Sequence, residues 1–190
     1  VKTSSTAPTA INTDNDNFCP GGSANLTVVG GSLGTNGTWE WYSGSCGGTP
    51  VGSGPTVSVS PVVTTTYYVR GEDDCGNTTC AQITITVQTE STDPTGIATT
   101  NNDFCPGGSA DLTVQGGSLG TGATWEWYSG SCGGTPVGSG ATVTVSPLVT
   151  TTYFVRAEGT CGVTNCAQIT INVKTSSTAP TAINTDNDNF

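Results

Sequence analysis

The strongest constraint on this chain is an internal repeat that carries its cysteines. Cys19 recurs as Cys105, 86 residues later, and the segment 19–54 matches the segment 105–140 without a gap. The other three cysteines recur at the same offset: Cys46 as Cys132, Cys75 as Cys161 and Cys80 as Cys166. Because similar sequences adopt similar folds, we expect two domains of one architecture arranged in tandem.

A longer period sets the expected domain boundaries. Residues 1–18 return unchanged as residues 173–190, whereas the intermediate copy at 87–104 is more divergent. We therefore expect the chain to be a piece of a longer covalent array built from pairs of repeats. The alternative is a polymer of separate subunits, in which residues 173–190 add a strand to a neighbour. The predicted order is a linker and first strand (1–18), repeat 1 (19–88), a second linker and first strand (89–104), repeat 2 (105–174) and the start of a third repeat (175–190).

The eight cysteines predict disulfide bonds and an oxidising environment. A zinc site of four thiolates is the alternative, but such a site usually has two close cysteine pairs. Each repeat has a single close pair, and in repeat 1 it is Cys75 and Cys80. No apolar run approaches the ~20 residues that span a bilayer, so no membrane insertion is expected. We expect a secreted protein, extracellular or at the cell surface.

The segments between the cysteines have the patterns of β-strands. The segment 38–43, TWEWYS, alternates two tryptophans with Glu40 and Tyr42, which places the tryptophans on one face of a strand. Similar short segments, separated by Gly-rich turns about every 8–12 residues, predict about seven strands per repeat and an all-β, immunoglobulin-like β-sandwich. A core of this size buries only about 60% of its chain surface, so we expect two disulfides in each domain.

The order of the strands suggests how the cysteines pair. If consecutive strands alternate in direction, Cys19 and Cys46 lie at one end of the first sandwich, and Cys75 and Cys80 lie at the other end. The alternative joins Cys19 to Cys75, like the bridge between the sheets of antibody domains. The first argument predicts four bonds: Cys19–Cys46, Cys75–Cys80, Cys105–Cys132 and Cys161–Cys166.

Three segments of the first repeat resemble a known family: WYSGSCGGTPVGSG, TVSVSPVVTTTYYVR and CGNTTCAQITITV. They are similar to the immunoglobulin-like repeats of giant surface and secreted proteins of Bacteroidota. Such repeats often precede a gliding-motility-associated C-terminal region that directs type IX secretion. The resemblance covers residues 19–88 and 105–174. It implies an extracellular stalk, adhesin or fibre module, and it supplies no catalytic site.

Composition excludes several classes of function. The net charge is −10 with only four basic residues, which cannot form the cationic patch that binds nucleic acid. The chain has no histidine, so Ser-His and Cys-His catalytic systems are excluded. We predict that the protein is not an enzyme and uses no cofactor, with calcium at the domain junctions as the one alternative.

That calcium alternative rests on four acidic residues. Asp14 and Asp16 lie in an Asn/Asp-rich segment at one end of the domain. By the strand argument this end faces the end of the next domain that carries an acidic hairpin. Asp73 and Asp74 lie in such a hairpin. Oxygen ligands at alternate positions suit calcium. Asn and Asp also favour solvated turns, because they bond to their own backbone.

Outward-facing side chains on the tryptophan strand are the other candidates. Tyr42 and its counterpart Tyr128 are candidates for stacking on sugar rings. We also expect Glu40 and Arg70 to form an ion pair between neighbouring strands, as Glu126 and Arg156 would in the second repeat.

Taken together, the sequence predicts a structural module of an extracellular repeat array, such as a stalk, surface fibre or filament, whose main partner is itself. The alternative is an adhesin module that binds glycans or the surfaces of host or neighbouring cells through exposed aromatic side chains.

Overall fold

A computed structural model describes residues 1–175 and 177–179 of the chain. It divides into two compact units. Unit 1 contains Val1–Glu90, Gly120–Gly122 and Thr160–Gly162, and unit 2 contains Ser91–Leu119, Ala123–Gly159 and the residues from Val163 onward. The described part of the chain has no helix long and apolar enough to cross a bilayer. The predicted start of a third repeat (175–190) falls largely outside the described residues.

Each repeat forms nine strands. Those of the first are β1 (Ala10–Thr13), β2 (Asn17–Phe18), β3 (Ala24–Val29), β4 (Thr38–Ser43), β5 (Thr49–Ser53), β6 (Thr56–Val59), β7 (Thr65–Asp73), β8 (Gly76–Asn77) and β9 (Ala81–Val87). Those of the second are β10 (Gly96–Thr99), β11 (Asp103–Phe104), β12 (Ala110–Gln115), β13 (Thr124–Ser129), β14 (Thr135–Ser139), β15 (Thr142–Val145), β16 (Thr151–Gly159), β17 (Gly162–Val163) and β18 (Ala167–Val173).

The strands of each repeat form two sheets. In the first repeat the small sheet has the order β1-β3-β6, and the large sheet has the order β2-β9-β7-β4-β5, with β8 paired to β7. The second repeat has the same arrangement, β10-β12-β15 and β11-β18-β16-β13-β14, with β17 paired to β16. The predicted all-β, immunoglobulin-like sandwich is confirmed.

Alternating side chains explain why the two sheets pack. In β3, Leu26 is buried whereas Asn25 and Thr27 are exposed, because successive side chains of a strand point to opposite faces. β7 alternates in the same way and buries Val69 while Arg70 lies on the outer face. Each sheet therefore contributes one apolar face to a shared core and presents one polar face to solvent.

Tryptophan fills the centre of each core. Trp41 is fully buried, and Leu26, Val69 and Ile85 belong to the same cluster. The Trp41 indole Nε1–H donates to the carbonyl oxygen of Gly54 at 2.8 Å, so its polar atom is satisfied inside the core. The second repeat reproduces this centre with Trp127, whose indole donates to Gly140 at 2.8 Å.

The pairing of β9 determines where a key cysteine lies. Along β7, the residues that pair with β9 are those of its first part, from Thr65 opposite Ile85 to Val69 opposite Ala81. The end of β7 instead turns back through the short strand β8. Cys80 immediately precedes β9, so the register places it beside Arg70, in the middle of the large sheet rather than at its end.

Removing the central indole tests this description of the core. We expect Trp41→Ala to lower the free energy of unfolding of unit 1 by about 3–5 kcal/mol, the usual cost of truncating a buried aromatic side chain. The measurement is urea unfolding followed by circular dichroism. Val62→Ala is the control, because Val62 is 78% exposed and should change stability by less than about 0.5 kcal/mol. Equal effects of the two substitutions would contradict the assignment of Trp41 to the core.

Candidate functional site

Cysteines form the most distinctive chemical feature of the described residues. Cys46 is bonded to Cys80, and Cys132 is bonded to Cys166, with Cα–Cα distances of 6.0 Å in both cases. The predicted bonds Cys19–Cys46, Cys75–Cys80, Cys105–Cys132 and Cys161–Cys166 are therefore wrong, as is the alternative Cys19–Cys75. Each repeat has one internal disulfide rather than two.

The strand register explains why this pairing replaces the predicted one. Cys80 lies beside Arg70 on the outer face of the large sheet, because β9 begins opposite the middle of β7. The turn after β4 folds back over the same face and carries Cys46 with it. At Gly47, with a φ of +76°, a Cβ atom would lie 3.0 Å from the Arg70 guanidinium, so the turn passes directly over this arginine. Cys46 and Cys80 meet above it.

The third disulfide joins sequence from both repeats. Cys19 is bonded to Cys161, which belongs to the short segment Thr160–Gly162 of unit 1. Cys19 follows β2, which runs parallel to the end of β9 through Phe18 opposite Val87. The Gln88 side chain lies beside this disulfide, with its Oε1 3.5 Å from the sulfur of Cys161. The bond closes a loop with a sequence separation of 142 residues.

Two cysteines have no disulfide partner. Cys75 and Cys105 are both free and exposed. They are the repeat counterparts of the two cysteines that bond to each other, because Cys75 corresponds to Cys161 and Cys105 corresponds to Cys19.

A cluster of Tyr42, Arg70 and Glu72 covers the outer face of the large sheet; we call it the outer cluster. The Arg70 guanidinium lies over the Tyr42 ring, 5.1 Å from its centroid, and pairs with Glu72 at 2.6 Å. The Tyr42 hydroxyl donates to the same Glu72 carboxylate. Tyr128, Arg156 and Glu158 form the equivalent cluster, with Arg156 5.2 Å from the ring centroid and 2.8 Å from Glu158.

The outer cluster corrects two predictions. Arg70 pairs with Glu72 and not with Glu40, even though Glu40 lies opposite it in the register. Glu72 lies two residues further along β7, on the same face, and also accepts the tyrosine hydroxyl. Glu40 instead accepts a hydrogen bond from Thr38 at 2.8 Å.

The second correction concerns the tyrosines proposed to bind glycans. Tyr42 is only 9% exposed, and the arginine already occupies the ring face on which a sugar would stack. Tyr128 is half-buried and covered by Arg156 in the same way. In both repeats the outward tyrosine is held by the arginine and the glutamate of the outer cluster.

The contacts within the outer cluster shift the pKa values of its tyrosine and glutamate. The hydrogen bond from Tyr42, assisted by Arg70, lowers the pKa of Glu72, and the same hydrogen bond raises the pKa of Tyr42. Glu158 and Tyr128 shift in the same directions for the same reason. The ionised carboxylate is thus the form that the folded state prefers.

Two of the acidic residues proposed to bind calcium accept hydrogen bonds from other residues of the first repeat. Asp14 accepts hydrogen bonds from the backbone amide and the side chain of Asn25, at 2.8 and 2.7 Å, which lowers the pKa of Asp14. Asp73 accepts from the backbone amides of Ser5 and Cys75, and hydrogen bonds from Ser5 are the main cause of its lowered pKa.

Of the other two proposed calcium ligands, Asp74 is engaged through its carboxylate and Asp16 through its backbone carbonyl. Asp74 pairs with Lys2 at 3.2 Å and accepts from Asn36 at 3.0 Å, while the backbone carbonyl of Asp16 accepts from the Thr86 amide at 2.8 Å. Among the described residues, no group of three or more Cys, Asp or Glu side chains is placed to hold a metal ion. Calcium binding stays an untested prediction.

Comparison with known sequences gives the family. Residues 6–88 and 93–174 each match the family described as "Ig-like domain CHU_C associated". The chain belongs to this family. The two matched segments of this Ig-like CHU_C-associated protein contain every strand from β1 to β18. The family resemblance inferred from the sequence is confirmed, and no curated protein matches the chain.

Two solved structures of titin fragments agree on the fold. An I-band fragment of titin is similar to this chain with a TM-score of 0.54 at 12% identity, covering 86% of this chain and 65% of the fragment. A second titin fragment has a TM-score of 0.52 at 16% identity, covering 92% and 68%. Murine CEACAM1b covers 87% of this chain and 98% of its own, at 15% identity and a TM-score of 0.48. At these identities the likeness concerns the fold alone.

Replacing one internal disulfide tests the observed pairing. We expect the double variant Cys46→Ser, Cys80→Ser to lose about 4 kcal/mol of unfolding free energy, from the chain-entropy cost of its 34-residue separation. Urea unfolding under non-reducing conditions measures the loss. Cys75→Ser is the matched control and should have little effect, because Cys75 has no partner. A large loss in the control with none in the double variant would contradict this pairing.

The outer cluster predicts a pH dependence. A carboxylate with a lowered pKa stabilises the fold above the pKa of the unfolded chain, near about 4.3 for Glu, and this contribution disappears as the pH falls through the folded pKa. We expect Glu72→Gln to be less stable than the native chain by about 1 kcal/mol or less at neutral pH. The difference should shrink below about pH 4.

Unfolding curves of both proteins across this acidic range provide the test. Glu40→Gln is the control, because its carboxylate lies outside the ion pair with Arg70. A stability difference for Glu72→Gln that does not change with pH would reject the charge-based contribution.

Proposed function

We propose that this chain is a structural module of an extracellular repeat array that forms a stalk, surface fibre or filament. The observation that carries the proposal is the disulfide between Cys19 of the first repeat and Cys161 of the second. A bond of this kind gives little to a domain that acts alone, because each repeat already has its own core and its own internal disulfide. It is useful where tension passes from one repeat to the next.

The disulfide changes the covalent path that would carry tension. Force applied along the chain enters at one end, crosses from Cys19 to Cys161 and leaves at the other end. The intervening loop, closed over a separation of 142 residues, is bypassed. If residues inside this loop unfold, the distance between the two ends of the protein therefore does not increase by the length of the unfolded segment. A module with this property limits extension, which suits a stalk or fibre.

Composition and chemistry support a place outside the cell. Three disulfides need an oxidising environment to form and persist. The surface has few charges and many Gly, Ser, Thr and Asn residues. The family model matches both repeats in tandem, and two fragments of titin share the fold. All three features agree with an array of repeats exposed to the environment.

Adhesion remains the second candidate, and one surface favours it. The loop between β6 and β7 exposes Val62 at 78% and Val63 at 67%, and its counterpart in the second repeat exposes Leu148 at 72% and Val149 at 70%. Recurrence of an exposed apolar pair in both repeats suits a contact with protein. The aromatic side chains first considered for glycan binding do not support this role, because arginines cover them.

Immunoelectron microscopy distinguishes the two functions. Fab fragments raised against the native two-repeat chain would be applied to intact producing cells, with permeabilised cells as the control. We expect gold particles along the length of thin extracellular fibres, because an array of repeats presents the epitope many times. Label at fibre tips alone would favour the adhesin. Label that appears only after permeabilisation would reject an extracellular array.

A further inference from the structure

We propose that the two free cysteines form the next bonds of a continuous series of disulfides between repeats. Cys105 would bond to the Cys75 position of the following repeat pair, and Cys75 would bond to the Cys105 position of the preceding pair. This inference rests on the proposed function, because it requires that further copies of the repeat pair adjoin this one.

The first observation is the position of these cysteines in the repeat. Cys105 is the counterpart of Cys19, and Cys75 is the counterpart of Cys161. Cys19 and Cys161 are bonded to each other, whereas Cys75 and Cys105 are exposed and free. Each of the two free cysteines is therefore the counterpart of one member of the bonded pair.

The second observation is that the backbone around Cys75 is already arranged as it is around Cys161. Next to Cys161, the Thr89 amide donates to the hydroxyl of Thr121 at 2.9 Å, and the Thr121 amide donates to the carbonyl of Thr89 at 2.9 Å. In the first repeat, Thr3 and Thr35 make the same two hydrogen bonds, both at 2.9 Å.

This match identifies which residues take the place of a preceding repeat. Thr3 is the counterpart of Thr89, so residues 1–3 lie against the first repeat as residues 87–89 lie against the segments 120–122 and 160–162 of unit 1. A chain that continued before residue 1 would bring its own β2 counterpart, and the cysteine that follows it, to the side of Cys75.

The environment of Cys105 matches that of Cys19 in the same way. The Gln88 amide donates to the Phe18 carbonyl at 2.9 Å, immediately before Cys19. The Lys174 amide donates to the Phe104 carbonyl at 2.9 Å, immediately before Cys105. Both cysteines therefore stand next to the residue at which the chain leaves the repeat.

Charge distinguishes this junction from the one that is already bonded. Lys2 and Lys174 occupy the same repeat position, where Gln88 stands between the two repeats. Lys2 pairs with Asp74 at 3.2 Å, and Lys174 pairs with Asp103 at 3.2 Å. In a continuing array the same lysine would lie close to two aspartates, the counterpart of Asp74 from one adjoining repeat and the counterpart of Asp103 from the other. This charged contact favours Cys105 with Cys75 over other pairings.

The chemistry is ordinary thiol–disulfide exchange. The two thiols lose two protons and two electrons as the sulfur–sulfur bond forms, and the disulfide of an extracellular oxidoreductase accepts them and becomes a dithiol. The proposed bond would close a second loop, from Cys105 to the Cys75 position of the following repeat pair. This loop would overlap with the Cys19–Cys161 loop, because Cys105 lies inside the first loop and Cys161 lies inside the second. Overlapping loops would leave no junction held by non-covalent contacts alone.

A joined chain tests the inference directly. Because residues 173–190 are identical to residues 1–18, a second copy that begins at Cys19 can follow Phe190 without any change to the repeat sequence. In this joined chain, Cys75→Ser in the first copy and Cys105→Ser in the second copy remove the two cysteines that would still lack partners. The protein would be oxidised, denatured and treated with an alkylating reagent.

The expected result is a complete loss of alkylation, together with a non-reduced peptide that contains Cys105 of the first copy and Cys75 of the second. Adding Cys105→Ser in the first copy should restore one alkylated thiol, on Cys75 of the second copy. Alkylation of both Cys105 and Cys75 in a chain that keeps its Cys19–Cys161 bonds would overturn the proposal. The retained bonds show that the repeats have folded.

This result is separate from the test of function. Free thiols in the joined chain, together with labelled fibres on cells, would reject the junction bond and leave the structural role. A bonded junction with label only inside permeabilised cells would reject the extracellular array and leave the cysteine chemistry.

Discussion

The small size of each hydrophobic core is the constraint on which the rest of this structure depends. A repeat of some 86 residues buries a limited apolar surface, here centred on one fully buried tryptophan, Trp41 or Trp127. Covalent bonds supply the additional stability. One disulfide crosses the outer face of the large sheet in each repeat, and a third, Cys19–Cys161, lies beside Gln88, where the sequence of one repeat gives way to the next.

The outer face of the large sheet is organised around the internal disulfide. Arg70 packs on Tyr42, binds Glu72 and lies under the turn that carries Cys46. The same arrangement recurs around Arg156, whose guanidinium lies 3.9 Å from the sulfur of Cys132. With four basic residues in the whole chain, the use of an arginine in each repeat to support this turn indicates that the position of the turn matters to the fold.

Much of the fold could be predicted because it depends on local patterns. Alternation in TWEWYS placed the two tryptophans on one face of a strand, and β4 (Thr38–Ser43) has the bounds that the sequence indicated. The disulfide pairing could not be predicted in this way, because it depends on register. Nothing in the sequence shows that β9 begins opposite Val69, which brings Cys80 to the middle of the sheet.

The bond between Cys19 and Cys161 was missed for a different reason. The strand argument already made the Cys19 end of one domain face the acidic end of the next, where Cys161 lies. The prediction failed because it assumed that each domain pairs its own cysteines. The outward tyrosines were misjudged because alternation identifies the face of a strand but not what covers it, and Arg70 and Arg156 cover them.

Single-molecule force spectroscopy of the two-repeat chain, pulled from its two ends with and without reductant, tests the central claim most directly. If Cys19–Cys161 carries the tension, reduction releases the bypassed loop and adds about 480 Å of extension, since an extended chain spans about 3.4 Å per residue and the separation is 142 residues. Cys19→Ser should reduce this gain to about 230 Å, because the two loops of 34 residues then lie on the path of the force. If only the two loops of 34 residues were closed, the gain would be about 230 Å, and Cys19→Ser would leave it unchanged. That second result would contradict the account.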